Sequence, residues 1–515
     1  MKADNNKKGL TFFQRTGLFI GLVLFLLIFF FDIDPGRPLV TRMAAVAVLM
    51  ATWWITEAIP LSATSLLPLI LYPLLGIMKG TVVAPIYINS TIFLFIGGFM
   101  IALTMEKWGL HKRIALWIIR LIGGGPSRIV LGFMIASAFL SMWISNTATA
   151  LMMMPIGLAI ILQLEDKYSI KETRRFAVSL MLGIAYSCSI GGIATLVGTP
   201  PNLSFVRIFQ ITFPKAMPVE FGQWMLFGVP LAILFLGIVW ILLVKIFFRP
   251  PSYLKIGRSV IKNEYNSLGP ASFEEKAILI VFFITAFLWV FRKKIELGFA
   301  TIPGWSSLLP YPQLIDDGTV ALFMAMILFF IPVKNSDVNL STVMGSDVIT
   351  RLPWNIVLLF GGGFALASGF QSTGLSLFIG NKFAALAGVS PFIMIPFICG
   401  GITFMTELTS NTATSEMILP VVASVASTIK VNPLLFMIPA TISASCAFMM
   451  PVATPPNAII FGCSRIRMAE MAFVGLIINI IGIILITIVF IFLGTWIFSI
   501  DPQSFPDWAG VMRNG

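Results

Sequence analysis

Histidine is all but missing from this 515-residue chain, which holds one. Charge is scarce as well: Asp, Glu, Lys and Arg make up 11% of the residues, against about 25% in soluble globular proteins. Four cysteines (Cys188, Cys399, Cys446, Cys463) form no CxxC pair, so neither a metal site nor a disulfide framework is drawn by their spacing. The charge deficit excludes a soluble enzyme and a disordered chain. An outer-membrane barrel would alternate apolar and polar residues, whereas the apolar stretches here are continuous.

What fills the chain is apolar: 58% of the residues, with a mean hydropathy of +0.96. Thirty-four basic against 22 acidic residues leave a net charge of +12. The excess sits in short clusters between apolar runs, which the positive-inside rule explains better than nucleic-acid binding. The fold class is therefore all-α, a polytopic membrane protein. A hydrocarbon core of about 30 Å needs roughly 20 apolar residues per helix. Spans are expected at Thr11 to Asp32 and near 39–57, 61–78, 91–122, 172–212, 222–248, 274–291, 318–335, 354–385, 431–462 and 468–498, about eleven in all. The first follows Lys2, Lys7 and Lys8 with no small-residue cleavage site after it, so it reads as a retained helix. Two further apolar segments, 127–163 and 390–428, each carry a polar break at the middle and read as re-entrant hairpins.

With the N-terminus inside, the expected cytoplasmic segments hold Lys112, Arg113, Arg120 and Arg128, then Lys167, Lys171, Arg174 and Arg175. They also hold Arg249, Lys255, Arg258 and Lys262, and later Arg465 and Arg467. The outer segments hold mainly single cations such as Lys79, Lys215, Lys382 and Lys430; Arg292, Lys293 and Lys294 are the exception. The layout divides the chain into a first span (1–38), a first half (39–248), a basic cytoplasmic linker (249–273), a second half (274–498) and a tail (499–515).

The halves repeat each other. Phe95-Ile-Gly-Gly-Phe99 returns as Phe360-Gly-Gly-Gly-Phe364, and Ser145-Asn146-Thr147-Ala148-Thr149 as Ser410-Asn411-Thr412-Ala413-Thr414, both shifted by 265 residues. Thr199-Pro200-Pro201-Asn202 returns as Thr454-Pro455-Pro456-Asn457, shifted by 255. Five spans plus a hairpin per half make the second half inverted, the hallmark of secondary transporters.

A Ser-Asn-Thr run in hydrocarbon is ordinarily helix-packing glue, and a Pro-Pro pair a kink. Their duplication in register, each at the break of an apolar segment, points instead to a binding site. At a hairpin tip one half-helix ends on free carbonyls and the next begins on free amides. Carbonyls with Ser, Thr and Asn oxygens suit Na⁺, while helix-start amides suit a carboxylate or sulfate. Consecutive prolines leave upstream carbonyls without amide partners, so each Thr-Pro-Pro-Asn run offers the same chemistry from a second direction. Gly97-Gly98 and Gly361-Gly362-Gly363 read as close helix packing. Glu407 and Glu416 face Met142 and Leu151 in the first half, which argues for a local role such as hydrogen bonding the hairpin. No Lys or Arg lies in a hairpin core or beside the Thr-Pro-Pro-Asn runs, so co-bound Na⁺ must supply the charge that holds an anion, and each ligand raises the other's affinity.

The run Phe139-Leu-Ser-Met-Trp-Ile-Ser-Asn-Thr-Ala-Thr149, the second Ser410-Asn411-Thr412 and the paired Thr-Pro-Pro-Asn runs resemble the divalent anion/sodium symporter family across about residues 11–498. The resemblance implies homodimers of eleven-span protomers with two re-entrant hairpins and an elevator motion. It implies a first Na⁺ site at Ser141, Ser145, Asn146 and the Gly198 backbone, and a second at Thr406, Thr409, Asn411 and the Ala453 backbone. Thr409 faces Ile144 in the first half, so its backbone oxygen is the expected donor. Substrate carboxylates would meet Asn146, Thr147, Asn411, Thr412, Thr199 and Thr454. The implied function is sodium symport of C4-dicarboxylates such as succinate, fumarate or malate across the cell membrane, with no enzymatic step. A sodium-independent exchanger, a sodium-coupled sulfate or citrate carrier, and a passive anion channel are the alternatives.

Overall fold

The computed structural model describes residues 11–254, 258–296, 301–334 and 341–510. Lys2, Lys7, Lys8 and Lys255 lie outside the described residues, as does the side chain of Arg258. The chain is 74% helix and 1% strand. Eight helices among the described residues are long and apolar enough to cross a bilayer. Helix α1 (Phe12–Phe31) starts on a capping box in which Thr11 and Gln14 bond each other's backbone, and packs on α2 (Pro38–Thr56). Only 11% of α1 is buried, and Phe19, Phe30 and Phe31 are exposed along it, as on a helix whose outer side meets lipid.

Several expected spans are built from two shorter helices. The stretch 91–122 is α3 (Ser90–Lys107) and α4 (Leu110–Ile122), split where Gly109 takes a φ of 74°. The first hairpin is α5 (Pro126–Ser141) and α6 (Asn146–Glu165). The stretch 172–212 is α7 (Ile170–Ile193) and α8 (Pro200–Thr212), interrupted over 194–199. Helix α9 (Phe221–Ile241) closes the first half.

In the second half come α10 (Phe273–Val290), α11 (Asp317–Phe330) and α12 (Trp354–Thr373). The second hairpin is α13 (Pro391–Thr406) and α14 (Asn411–Thr428). The stretch 431–462 is α15 (Leu434–Ser443) and α16 (Pro455–Phe461), and α17 (Met468–Val489) ends the fold. The helix boundaries obey the sequence repeat: both hairpins break over four residues, at 142–145 and 407–410, and their second arms carry Pro155 and Pro420, again 265 apart.

Phe95 on α3 and Phe360 on α12 occupy equivalent positions, and their rings meet edge to face at 5.3 Å. Equivalent residues in contact place the axis relating the halves between α3 and α12. Helix α7, buried from Phe176 onward, runs through the centre against α5 and α6, and α15 packs correspondingly against α13 and α14. The restarted helices cross over: α8 lies on α14 of the other half's hairpin, and α16 lies on α6.

The cations with no place in the charge layout are held in pairs. Arg292, buried just past α10, donates through Nε to Asp317 Oδ1 (2.6 Å), through Nη1 to Ile315 O (2.8 Å) and through Nη2 to Glu220. Lys293 reaches Glu220 Oε1 at 2.5 Å. This cluster ties the starts of α9 and α11 to the end of α10, so it follows from packing rather than sidedness. The linker carries a helix of its own, Arg258–Ser267, and leans on α4 through Arg113, which bonds Glu275 (2.9 Å) and Gly269 O (2.9 Å).

The glycine pairs are contact points of unequal tightness. A Cβ on Gly97 would come 2.6 Å from Ala321 Cβ and 2.7 Å from its carbonyl carbon, and one on Gly362 would come 2.6 Å from Ser65 Cβ. A Cβ on Gly98 would meet Val197 Cγ1 at an ordinary 3.5 Å. Overpacking a rigid interface costs about 1–3 kcal/mol. Gly97→Ala should therefore lower the thermal midpoint of the purified protein by several degrees, and Gly98→Ala should leave it near the parent value.

Candidate functional site

Each hairpin tip is built from a hydroxyl and an amide five residues apart. Ser141 Oγ donates to Asn146 Oδ1 (2.5 Å), and Thr406 Oγ1 donates to Asn411 Oδ1 (2.7 Å). The four-residue break puts the last hydroxyl of one arm beside the first amide side chain of the next, so the pair forms from local geometry alone. Ser145 caps α6 by accepting from Ala148 N (3.1 Å). Thr409 directs its hydroxyl to Met405 O (3.0 Å), and it lies 2.5 Å from Thr414 Oγ1.

The broken helices come to these tips. A Cβ on Gly192 would meet Asn146 Oδ1 at 3.0 Å and Gly198 O at 3.1 Å, so Ser141, Asn146 and the Gly198 carbonyl converge on one point. Thr195 Oγ1 donates to Met142 O at the tip (2.5 Å). In the second half Thr406 Oγ1 also bonds Ala444 O (3.0 Å), and Ala453 N bonds Met450 O (3.2 Å) within the break. Both breaks are braced by the asparagine of Thr-Pro-Pro-Asn. Asn202 Nδ2 donates to Gly192 O (3.2 Å) and Thr195 O (2.7 Å), while Asn457 Nδ2 donates to Ala447 O and Met450 O (both 3.1 Å). Each donor and acceptor is shifted by 255 residues, so the braces are equivalent atom for atom. Thr454 Oγ1 accepts from Asn457 N (3.3 Å) at the start of α16, whereas Thr199, in the matching place before α8, makes no such side-chain cap. Thr412 is buried and Thr147 half-buried on the first turns of α14 and α6.

The helices flanking the first break also reach the second half's break and hairpin. Tyr186 of α7 packs its ring on Phe448 of the second break at 5.2 Å. Ser204 of α8 donates to Glu416 Oε1 of α14 (2.5 Å). Glu416 is fully buried, its carboxyl lies where a Cβ on Gly363 would sit, and its Oε2 has no hydrogen-bond partner. A separate cavity of about 270 Å³ flanks the first break, lined by Leu196, Val206, Gln210 and the Arg292 cluster rather than by the tips.

Two features lay beyond sequence reasoning. Arg207, five residues past Asn202 on α8, is half-buried with its Nε unpartnered, so a fixed cation does stand within two turns of the first run. Its signal in the sequence is a lone cation in the apolar stretch that follows the Thr-Pro-Pro-Asn run. The other is the partner set of Glu407, which sequence separations of 41 to 72 residues hide.

Residues 14–500 match the family described as the sodium:sulfate symporter transmembrane region. The chain belongs to this family, the divalent anion/sodium symporters. It is a membrane transporter and not an enzyme. The sodium-dependent dicarboxylate transporter SdcS of Staphylococcus saprophyticus subsp. saprophyticus is 41% identical over 494 residues, covering 95% of this chain and 93% of its own. SdcS of Staphylococcus aureus strain USA300 is 40% identical over 504 residues, covering 97% and 94%. Among solved structures, the MtrF efflux pump of Neisseria gonorrhoeae shares the fold at a TM-score of 0.56 with 14% identity, covering 95% of this chain and 98% of its own. The YdaH transporter of Alcanivorax borkumensis does so at 0.52 with 13% identity, covering 94% and 97%.

Within this symporter the asparagine braces carry a definite load. A buried carbonyl left without its donor costs about 1–3 kcal/mol. Asn202→Leu and Asn457→Leu each take the side-chain donor from two carbonyls, stranding Gly192 O or Ala447 O and leaving Thr195 O or Met450 O to the amide of Gly198 or Ala453 alone, so both should lower the thermal midpoint and the folded yield by comparable amounts, measured on protein extracted in mild detergent.

Proposed function

We propose that this chain imports C4-dicarboxylates such as succinate, fumarate and malate by sodium symport. The observation that carries the reading is the pair of equivalent tips, Ser141–Asn146 and Thr406–Asn411, each set against a broken helix braced by its own asparagine. Sodium would sit among Ser141, Ser145, Asn146 and the Gly198 carbonyl in one half, and among Thr406, Asn411 and the Thr409 and Ala453 carbonyls in the other. Hard oxygens of hydroxyl, amide and backbone groups suit that cation.

Each asparagine would serve both ligands. Its Oδ1, already the acceptor for Ser141 or Thr406, faces the cation, and its Nδ2 remains to donate to a substrate carboxylate. Thr147, Thr412, Thr199 and Thr454 supply the remaining contacts from the helix starts, where free amides favour an anion. Cation and anion thus share two side chains, and filling one site raises the affinity of the other by the same factor in both directions. The relatives named as sodium-dependent dicarboxylate transporters support the choice of cargo over sulfate or citrate.

The remaining parts of the reading rest on the charge layout and on the resemblance to the family. The hairpins enter and leave on one side of the cell membrane, the N-terminus is cytoplasmic, the protein is a homodimer, and the cargo crosses by an elevator motion of the part that holds the tips.

Uptake of labelled succinate into proteoliposomes should require an inward Na⁺ gradient; uptake that ignores Na⁺ and needs internal dicarboxylate would mean exchange instead. Excess fumarate and malate should suppress it, and dominant competition by sulfate would reassign the cargo. Asn146→Ala and Asn411→Ala should each abolish uptake while the protein still reaches the membrane. Near-normal transport by either variant would overturn the shared site.

A further inference from the structure

The two broken helices are not broken to the same extent. Helix α7 stays helical through Ile193 and is interrupted only over 194–199. Its counterpart α15 stops at Ser443, and the chain between it and α16 runs over 444–454. The positions matching Ser189–Ile193, helical in the first half, are therefore unwound in the second. Unwinding frees amides and carbonyls inside the protein, and each buried one needs a partner.

Glu407 takes the amides. Its Oε1 accepts from Phe448 N (2.6 Å) and Met449 N (2.9 Å), and its Oε2 accepts from Met450 N (3.0 Å). Asn479 Nδ2 of α17 adds a fourth donor at 2.7 Å. The residue is buried, and all four hydrogen bonds run toward it. In the first half Met142 stands in its place, and the link there exchanges the roles of side chain and backbone: Thr195 Oγ1 donates to the Met142 carbonyl. Thr195 and Met450 are themselves equivalent, so the same two positions are joined in both halves, once by a hydroxyl onto a carbonyl and once by an amide onto a carboxylate.

The freed carbonyls turn elsewhere. Ala444 O meets the Thr406 hydroxyl, next to Glu407 in sequence. The side-chain oxygens of Ser445, Asn457 and Asn479 are buried around the same stretch with no hydrogen-bond partner among the described residues, as are those of Ser189 and Asn202 beside the first break, so both breaks hold acceptors open to a cation and only the second has a carboxylate fixed beside them. We propose that Glu407 is a positioning residue that holds the second break open and presents its oxygens to the second cation, so the two sodium sites differ and the Thr406–Asn411 site binds its ion more tightly. The inference rests on the two-site reading above and extends it to an order of affinities.

The test is the Na⁺ titration of thermal stability, on the full-length protein without substrate and with choline replacing Na⁺. An ion that binds only the folded state raises the midpoint as its concentration passes its Kd. Glu407→Gln keeps one acceptor but removes the carboxylate. It should move the tighter component of the curve to at least about tenfold higher Na⁺, and because its amide nitrogen would face a backbone donor it should also lower the midpoint in choline; a purely structural role would lower the midpoint and leave the Na⁺ dependence where it was. Asn479→Ala, which removes one donor of four, should move the same component by a few-fold and serves if Glu407→Gln does not assemble. A Na⁺ curve unchanged in either variant that folds would overturn the proposal, as would failure of both to assemble, since the clamp would then hold the fold and nothing more. Asn146→Ala and Asn411→Ala separate the premises. If neither alters Na⁺ stabilisation, the two-site reading itself falls. If Asn411→Ala removes the tight component and Glu407→Gln does not move it, only the present inference does.

Discussion

A peptide group without a hydrogen-bond partner costs several kcal/mol when no water can reach it, and four interruptions in this protein leave such groups deep in the fold. Two are the hairpin tips at 142–145 and 407–410, and two are the breaks before Pro200 and Pro455. Side chains from other turns meet part of that demand: Asn202 and Asn457 cover carbonyls, and Glu407 covers amides. The cover is incomplete. Glu407 takes three amides, while side-chain oxygens such as Asn202 Oδ1 and Asn457 Oδ1 have no partner among the described residues. A protein that keeps surplus acceptors where water is scarce is arranged for cations.

The two halves answer the same demand with partly different chemistry. The hydroxyl–asparagine pairs and the asparagine braces match atom for atom. Around them the second half has replaced Met142 by Glu407 and Leu151 by Glu416. Each acid has its accommodation: Glu407 is paired with a longer unwound stretch, and Glu416 with Gly363, whose missing side chain leaves room for the carboxyl. The symmetry therefore fixes how each tip meets its break, and its exceptions make the two halves unequal there.

Elsewhere the fold keeps charge at the edges of the apolar core and pairs what it buries. Arg292 is held by two acids from different helices, and Arg113 by Glu275 and linker carbonyls. Bidentate or multiple donation of this kind suits arginine's fixed fork. Glycines at Gly97 and Gly362 let neighbouring backbones approach at equivalent points in the two halves, so the close packing next to the axis through Phe95 and Phe360 is itself repeated.

Much of this was legible in the order of residues. Continuous apolar runs, Pro-Pro pairs and Ser-Asn-Thr runs act on their own backbone within a turn or two, so the class of fold and the four interruptions could be read directly, whereas Ser141 with Asn146 and Thr406 with Asn411 were pointed to by the family resemblance. The repeat, present as offsets of 265 and 255, told which positions would be equivalent. Partner choice across long separations could not be read. That α8 lies on α14, that Glu407 gathers the amides of Phe448 to Met450, that Arg292 finds Asp317 and Glu220, and that α15 unwinds five residues sooner than α7 all depend on which distant surfaces pack together. Local chemistry decides where a helix must stop; only the assembled bundle decides which neighbour satisfies the groups that stopping exposes.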